Sequence, residues 1–152
     1  MPSGGLTILH VEDDPNDVLL IARAFRKAEV SARIQVVNNG EQAVHYLNGT
    51  NSFAQREQFP LPAVVLLDLK LPRKSGIEVL EWLRSQPGLK RIPIVMLTSS
   101  RQAVDINRAY DLGVNAYLVK PVAFDALVEM LRILDLFWLR LNEPPTSTRE
   151  PV

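Results

Sequence analysis

At 152 residues the chain has the size of one compact domain, and with Lys plus Arg 17 against Asp plus Glu 17 it carries no net charge. No global positive field exists to hold a phosphate backbone or an anionic membrane, so neither a nucleic-acid nor a membrane partner is expected. At 47% hydrophobic and 22% charged it can form a core, and the absence of cysteine excludes disulfides, thiolate catalysis and cysteine-ligated zinc or iron–sulfur sites.

No stretch approaches the roughly 18 apolar residues of a membrane span, and Met1 to Gly5 lacks the charged start and apolar run of a secretory signal. A soluble cytoplasmic protein is expected. Leu6-Thr7-Ile8-Leu9-His10-Val11 reads as a strand, followed by a helix with Val18, Ile21, Ala22 and Phe25 on one face. Ile34 to Val37 is a second strand, Asn39-Gly40 a turn, and Ala43, Val44 and Leu47 the buried side of a second helix. Asn48 to Pro62 is a polar connection, longer than such a fold needs. Ala63-Val64-Val65-Leu66-Leu67 is apolar throughout, which suits a central strand covered on both faces. A helix over Gly76 to Gln86 follows, stopped by Pro87-Gly88, then a strand over Ile92 to Leu97. A helix over Arg101 to Leu112 ends at Gly113, Ala116 to Val119 is the fifth strand, and the last helix runs from Val122 to Leu141. Alternation at this spacing predicts parallel strands joined by right-handed crossovers, with helices on both faces of an open sheet. Residues 1–141 are read as one domain and 142–152 as a flexible tail rich in Pro, Ser and Thr.

In an open parallel sheet, ligands bind beyond the carboxyl ends of the strands. The first strand ends in Glu12-Asp13-Asp14, the third in Asp68, the fourth in Thr98-Ser99-Ser100 and the fifth in Lys120-Pro121. Converging carboxylates of Glu12, Asp13 and Asp68 repel one another and call for a cation, for which a hard, oxygen-liking ion such as Mg²⁺ fits. Lys120 and the Thr98 hydroxyl would complement a phosphoryl group, and Asp68 is the candidate nucleophile for an aspartyl phosphate. Each residue also has a bland reading. Asp14 before Pro15 is a helix cap, Asp68 a loop acid before Leu71-Pro72, Thr98 or Ser100 a cap of the next helix, and Lys120 a solvated strand end. The coincidence of four strand ends carrying one chemistry favours a site. His10 and His45 lack partners at metal-ligand spacing and read as structural.

Val11-Glu12-Asp13-Asp14, Leu66-Leu67-Asp68-Leu69-Lys70-Leu71-Pro72, Ser75-Gly76, Met96-Leu97-Thr98-Ser99 and Tyr117-Leu118-Val119-Lys120-Pro121 together resemble the receiver domain of two-component response regulators, from Leu6 to about Leu134. The resemblance implies a flavodoxin-like, doubly wound α/β fold with a five-stranded parallel sheet in the order 2-1-3-4-5, five helices and an extended last helix. It implies that Asp68 accepts a phosphoryl group from a histidine of a sensor kinase, and that Glu12 and Asp13 hold Mg²⁺ with Asp68 and the backbone carbonyl of Lys70. Thr98 becomes the switch hydroxyl, Tyr117 the switch aromatic, and Lys120 the phosphate-pairing lysine before a cis peptide at Pro121. Such a protein is a phosphoacceptor, catalysing only its own phosphorylation and dephosphorylation, and not an enzyme with a separate substrate. Asp14-Pro15-Asn16-Asp17, the Asn48–Pro62 connection and the long last helix resemble single-domain regulators partnered with phytochromes, which implies a phytochrome-type kinase. A haloacid-dehalogenase-type phosphatase would need a second acid two residues after its nucleophile, where Lys70 stands. A constitutive adaptor with an idle acidic pocket is the alternative.

Several residues of the last helix follow the usual receiver end near Ile133, and no DNA-binding output domain is expected. Phe124, Leu127, Val128, Leu131, Leu134, Trp138 and Leu141 form a stripe for burial on the sheet. Ala126, Met130, Ile133 and Phe137 form a second stripe, and a homodimer through Met130, Ile133, Phe137 and Trp138 is expected. Asp135 within the first stripe suggests that the helix has by then left the domain body.

Overall fold

The structure, a computed structural model, describes residues 5–145. Five strands, β1 (Thr7–Val11), β2 (Arg33–Val37), β3 (Val64–Leu67), β4 (Ile94–Thr98) and β5 (Ala116–Val119), alternate with five helices. These are α1 (Pro15–Lys27), α2 (Gly40–Asn48), α3 (Gly76–Ser85), α4 (Ala103–Asp111) and α5 (Phe124–Leu134), the last prolonged by a wider turn over Asp135–Leu141. All neighbouring strands are parallel, in the order β2-β1-β3-β4-β5. The expected flavodoxin-like architecture is therefore present, and its elongated last helix covers 18 residues. β4 begins at Ile94, since Pro93 has no N–H to give to the ladder.

Alternate residues of each strand feed opposite cores. Ile8, Val64, Leu66, Val95 and Leu97 meet Ile21, Phe25, Leu127, Leu131 and Leu134 of α1 and α5. Leu9, Val11, Val65, Leu67, Ile94 and Met96 meet Leu47, Val79, Leu80 and Leu83 of α2 and α3. Burial on both faces explains why β3 reads as a continuous apolar run, and β1 and β4 are buried throughout as well. Local signals fix the helix starts. Asp14 accepts the Asn16 N–H with Pro15 in the first turn, Asn39 accepts from Gln42, and Ser75 with Glu78 forms a reciprocal capping box. His10 is buried in β1, and this burial, with the positive charge of Lys120, lowers its pKa to about 4. His45 lies against the Thr50 hydroxyl at 2.9 Å.

Three expectations are corrected. The connection after α2 is not simply polar: Phe53, Phe59 and Leu61 rest on the α2–α3 core, and Phe53 and Phe59 cluster with the buried Tyr46 ring at 5.2 and 6.0 Å. Arg56 fastens it by donating to the carbonyls of Tyr46, Leu47 and Phe59. Secondly, the last helix does not keep α-helical register. Beyond Leu134 it widens to i→i+5 hydrogen bonding, as in Asn142 N–H to the Phe137 carbonyl at 2.8 Å. Asp135, on the inner stripe, is buried with Leu139 while Leu141 is 66% exposed, so Asp135 marks no departure from the domain body. Thirdly, the bond before Pro121 is trans, as are all peptide bonds among the described residues, in keeping with the intrinsic preference of X–Pro. Asn142 to Pro145 lies outside any helix or strand, and the rest of the expected tail falls outside the described residues.

Tyr46 makes the connection sensitive to alkali. Its hydroxyl donates to the Pro60 carbonyl at 2.8 Å, and burial raises its pKa from 10.0 to about 12. The unfolded chain loses this proton near pH 10 while the native chain keeps it, so native stability falls as the pH rises from 10 towards 12. Tyr46→Phe should cost about 1 kcal/mol near neutrality through the lost hydrogen bond. Denaturant titrations should show this gap narrowing above pH 10; a gap independent of pH would contradict the assignment.

Candidate functional site

The register of the sheet brings the polar strand ends together. Val11 pairs with Leu67 and Thr98 with Val119, so Glu12 and Asp13 emerge beside Asp68, and Thr98 beside Lys120. The Asp68 N–H donates to the Val11 carbonyl at 3.2 Å and the Lys120 N–H to that of Thr98 at 2.8 Å, which fixes the backbone behind each side chain. Glu12, Asp13 and Asp68 each aim one carboxylate oxygen into a common space, these atoms lying within 4.8 Å of one another. Glu12 is buried, Asp13 exposed and Asp68 intermediate, an arrangement with one anchored acid and an open side.

Lys120 is the counter-charge. Its Nζ lies 2.5 Å from Glu12, 3.1 Å from Asp17 and 3.5 Å from Asp68. Burial acts to lower the lysine, but the hydrogen bond to Glu12 and the charges of Asp68 and Glu12 outweigh it and hold the ammonium above its ordinary range. Burial, opposed by the Lys120 hydrogen bond, raises the Glu12 carboxyl above the ordinary carboxylate range. A divalent cation would remove the repulsion that remains among the acids. The donor set, three carboxylates and no nitrogen or sulfur, suits a hard ion of the Mg²⁺ class.

On the open side, Asp68, Lys70, Thr98, Ser99, Ser100, Arg101 and Gln102 line a cleft of about 300 Å³. Thr98 is buried, and its hydroxyl oxygen lies 3.4 Å from the Ser100 N–H. Tyr117 is half-buried, and its hydroxyl donates to the Ser100 carbonyl at 3.0 Å. The Ser100 hydroxyl donates to Asp105 at 2.6 Å, tying the β4–α4 loop to the first turn of α4. Asp68, Lys70 and Thr98 thus line one cleft, Glu12, Asp13 and Lys120 stand beside Asp68, and Tyr117 reaches the cleft's loop through Ser100. Asp14 is not part of the group and caps α1.

Two contributors escape a sequence reading. Asp17 reads as a helix-dipole acid, and nothing in its spacing announces that it reaches Lys120 across the fold. Gly76 is required by close approach: its N–H donates to the Leu69 carbonyl at 2.9 Å, and a Cβ there would stand 2.1 Å from the Asp68 carbonyl oxygen. The helix α3 is thereby pressed against the loop that carries Asp68.

The expected interface residues separate into two kinds. Ile133 and Phe137 are 57% and 51% exposed, whereas Met130 and Trp138 lean on the α1–α5 core. Trp138 also meets the Phe137 ring edge-on at 4.9 Å.

Fold, strand-end acids, lysine and hydroxyl together define a response-regulator receiver. The chain belongs to the Response regulator receiver domain family, which matches residues 8–132. Among curated relatives it is 38% identical over 138 residues to the probable methanogenesis regulatory protein FilR2 of Methanothrix harundinacea, covering 91% of this chain and 86% of the relative. It is 36% identical over 140 residues to response regulator Rcp1 of Synechocystis sp., covering 92% and 93%. Among solved structures, response regulator RPA3017, in red light signalling of R. palustris, superposes with a TM-score of 0.89 at 39% identity, covering 93% of this chain and 99% of that one. The phosphorylated cyanobacterial phytochrome response regulator RcpA gives 0.85 at 36% identity, and the Mn²⁺-bound form of Rcp1 gives 0.81 at 34%, each covering 93% of this chain and 99% of its own.

Gly76→Ala provides a test of the close approach. It should lower the unfolding free energy by about 1–3 kcal/mol, the usual cost of overpacking, when measured by chemical denaturation. Native-like stability would show that α3 does not constrain the Asp68 loop.

Proposed function

We propose that this chain is a phosphoacceptor in a two-component relay, with Asp68 as the acceptor. The observation that carries the reading is the juxtaposition of Asp68 with Glu12 and Asp13 on one side, Lys120 on another and an open cleft on the third. A carboxylate oxygen of Asp68 attacks the phosphorus of a phosphohistidine in a sensor kinase. The new P–O bond forms as the P–N bond breaks, and the imidazole nitrogen keeps the electron pair and takes up a proton. Lys120, 3.5 Å from Asp68, is within reach of the added negative charge, and Thr98 lines the cleft with a hydroxyl able to donate to a phosphoryl oxygen.

Glu12, Asp13 and Asp68, with the Lys70 backbone carbonyl, would hold Mg²⁺. When bound, this ion supplies charge neutralisation for the transferring oxygens. In the protein itself, Glu12 and Asp13 keep the ion's side of Asp68 acidic while Lys120, bonded to Glu12, also reaches an Asp68 oxygen. The chain then acts on its own aspartate and turns over no separate substrate. Similarity to RPA3017 and RcpA supports a phytochrome-type light sensor as the kinase, and this reading puts both in the cytoplasm.

Acetyl phosphate with millimolar Mg²⁺ should load one phosphoryl group per chain, read by intact-mass spectrometry. Asp68→Asn should load none, and chelation with EDTA should suppress loading in the native protein. No uptake by the native chain would leave the constitutive adaptor as the better account.

Signal output is read as homodimerisation through the exposed side of α5. Ile133, Leu136 and Phe137 offer the apolar area; Trp138, committed to the protein's own core, is a support for Phe137 more than an anchor. Light scattering on Ile133→Glu/Phe137→Glu should give a monomer where the native chain gives a dimer. An intact dimer in the double variant, or a native monomer with and without beryllofluoride, would overturn this part.

A further inference from the structure

Lys120 touches three carboxylates, and two of them have another duty. Glu12 and Asp68 belong to the group of converging oxygens that suits a divalent ion, while Asp17, at 3.1 Å from the same ammonium, does not. An ammonium held tightly on Glu12 competes with any cation for that carboxylate, because two positive charges at such distances repel. The lysine has little freedom to leave. Its side chain is 14% exposed, and all three acids lie within 3.5 Å of its tip.

Asp17 is the one of the three partners that lies outside the group of converging oxygens, and it is itself well placed. Asp14 and Pro15 fix the start of α1, and α1 is buried against α5 through Ile21, Phe25, Leu127 and Leu131. Because Asp14 already caps the helix, Asp17 is not needed for that purpose. A dipole role alone would give it no connection to Lys120.

We propose that Asp17 is a positioning residue that offers the Lys120 ammonium a partner outside the ion-binding oxygens, so that Glu12 and Asp68 can release it and take a divalent cation. The proposal rests on the phosphoacceptor reading of the pocket and adds to it a residue that sets how tightly the pocket loads.

The test is Mg²⁺ binding by isothermal titration calorimetry at constant ionic strength. It uses the full chain as native protein, Asp17→Asn, Asp17→Glu, Lys120→Met and the double variant Asp17→Asn/Lys120→Met. Asp17→Asn should weaken Mg²⁺ about three- to fivefold, the effect of one partly exposed ion pair, and Asp17→Glu should recover most of the loss. In the Lys120→Met background, Asp17→Asn should have a clearly smaller effect, because no ammonium remains to be held. An equal loss in both backgrounds would assign Asp17 a general charge effect and overturn the proposal. So would an unchanged affinity in Asp17→Asn, including the case in which only its thermal stability moves. A native chain that binds Mg²⁺ and loads phosphate while the cycle shows no coupling defeats the Asp17 proposal alone; a native chain that takes up no Mg²⁺ defeats the functional reading and this proposal together.

Discussion

The organising constraint is the gathering of like charge at one edge of a parallel sheet. Parallel strands deliver their carboxyl ends to the same side, and the register of β1 with β3 sets Glu12, Asp13 and Asp68 within one small space. Left alone, these acids would oppose the fold. A single ammonium, brought by β5, offsets part of the repulsion and is itself surplus to none of its three partners. The result is a pocket held by strong but incomplete compensation. Such a pocket favours any added cation on one side, and on the other can redistribute the lysine when charge is added to Asp68.

The surrounding backbone limits how that redistribution can occur. Gly76 presses α3 onto the Asp68 carbonyl, and the capping box of Ser75 and Glu78 fixes where the helix begins. The acceptor side is therefore rigid. The opposite wall is built differently, with Ser100 serving as donor to Asp105 through its hydroxyl and as acceptor of Tyr117 through its carbonyl. These contacts belong to a loop of few apolar contacts, which can exchange hydrogen-bond partners without opening the core. Asp68 thus stands between one closely packed wall and one wall held by hydrogen bonds, and the latter leads to α4 and β5.

Much of this was legible in the sequence because it depends on local chemistry. The uniform burial of β3, the caps at Asp14, Asn39 and Ser75, and the acids at strand ends follow from patterns a few residues long. What was not legible depends on distance across the fold. Asp17 and Lys120 are 103 positions apart, and only the crossing of α1 over the sheet edge makes them partners. The aromatic cluster of Tyr46, Phe53 and Phe59 was hidden by polar neighbours, since isolated aromatics in a polar connection show no period. The trans bond at Pro121 could not be fixed by sequence, because the two isomers differ intrinsically by only about 0.5–1 kcal/mol.

The end of the last helix shows how a small change of pitch alters a surface. With α-helical spacing maintained, Trp138 and Leu141 would continue the stripe of Leu131 and Leu134. In the wider turn Asp135, already within the stripe, and Leu139 are the buried positions, while Trp138 keeps a partial contact and Leu141 is exposed. Burying a carboxylate is costly unless it is paired, and Arg140 meets this demand from five residues on, with its Nε 2.9 Å from Asp135, although the other carboxylate oxygen finds no partner among the described residues. The i→i+5 geometry that brings Arg140 to Asp135 also leaves Leu141 exposed, alongside Phe137, which α-helical spacing already places on the outer stripe. One local hydrogen-bonding pattern therefore retains the helix end on the domain through Leu139 and extends the exposed apolar edge of Ile133 and Phe137 to Leu141. Any partner that covers Ile133 and Phe137 must accommodate a helix whose wider last turn is held by an ion pair, and that makes the surface specific in shape as well as apolar.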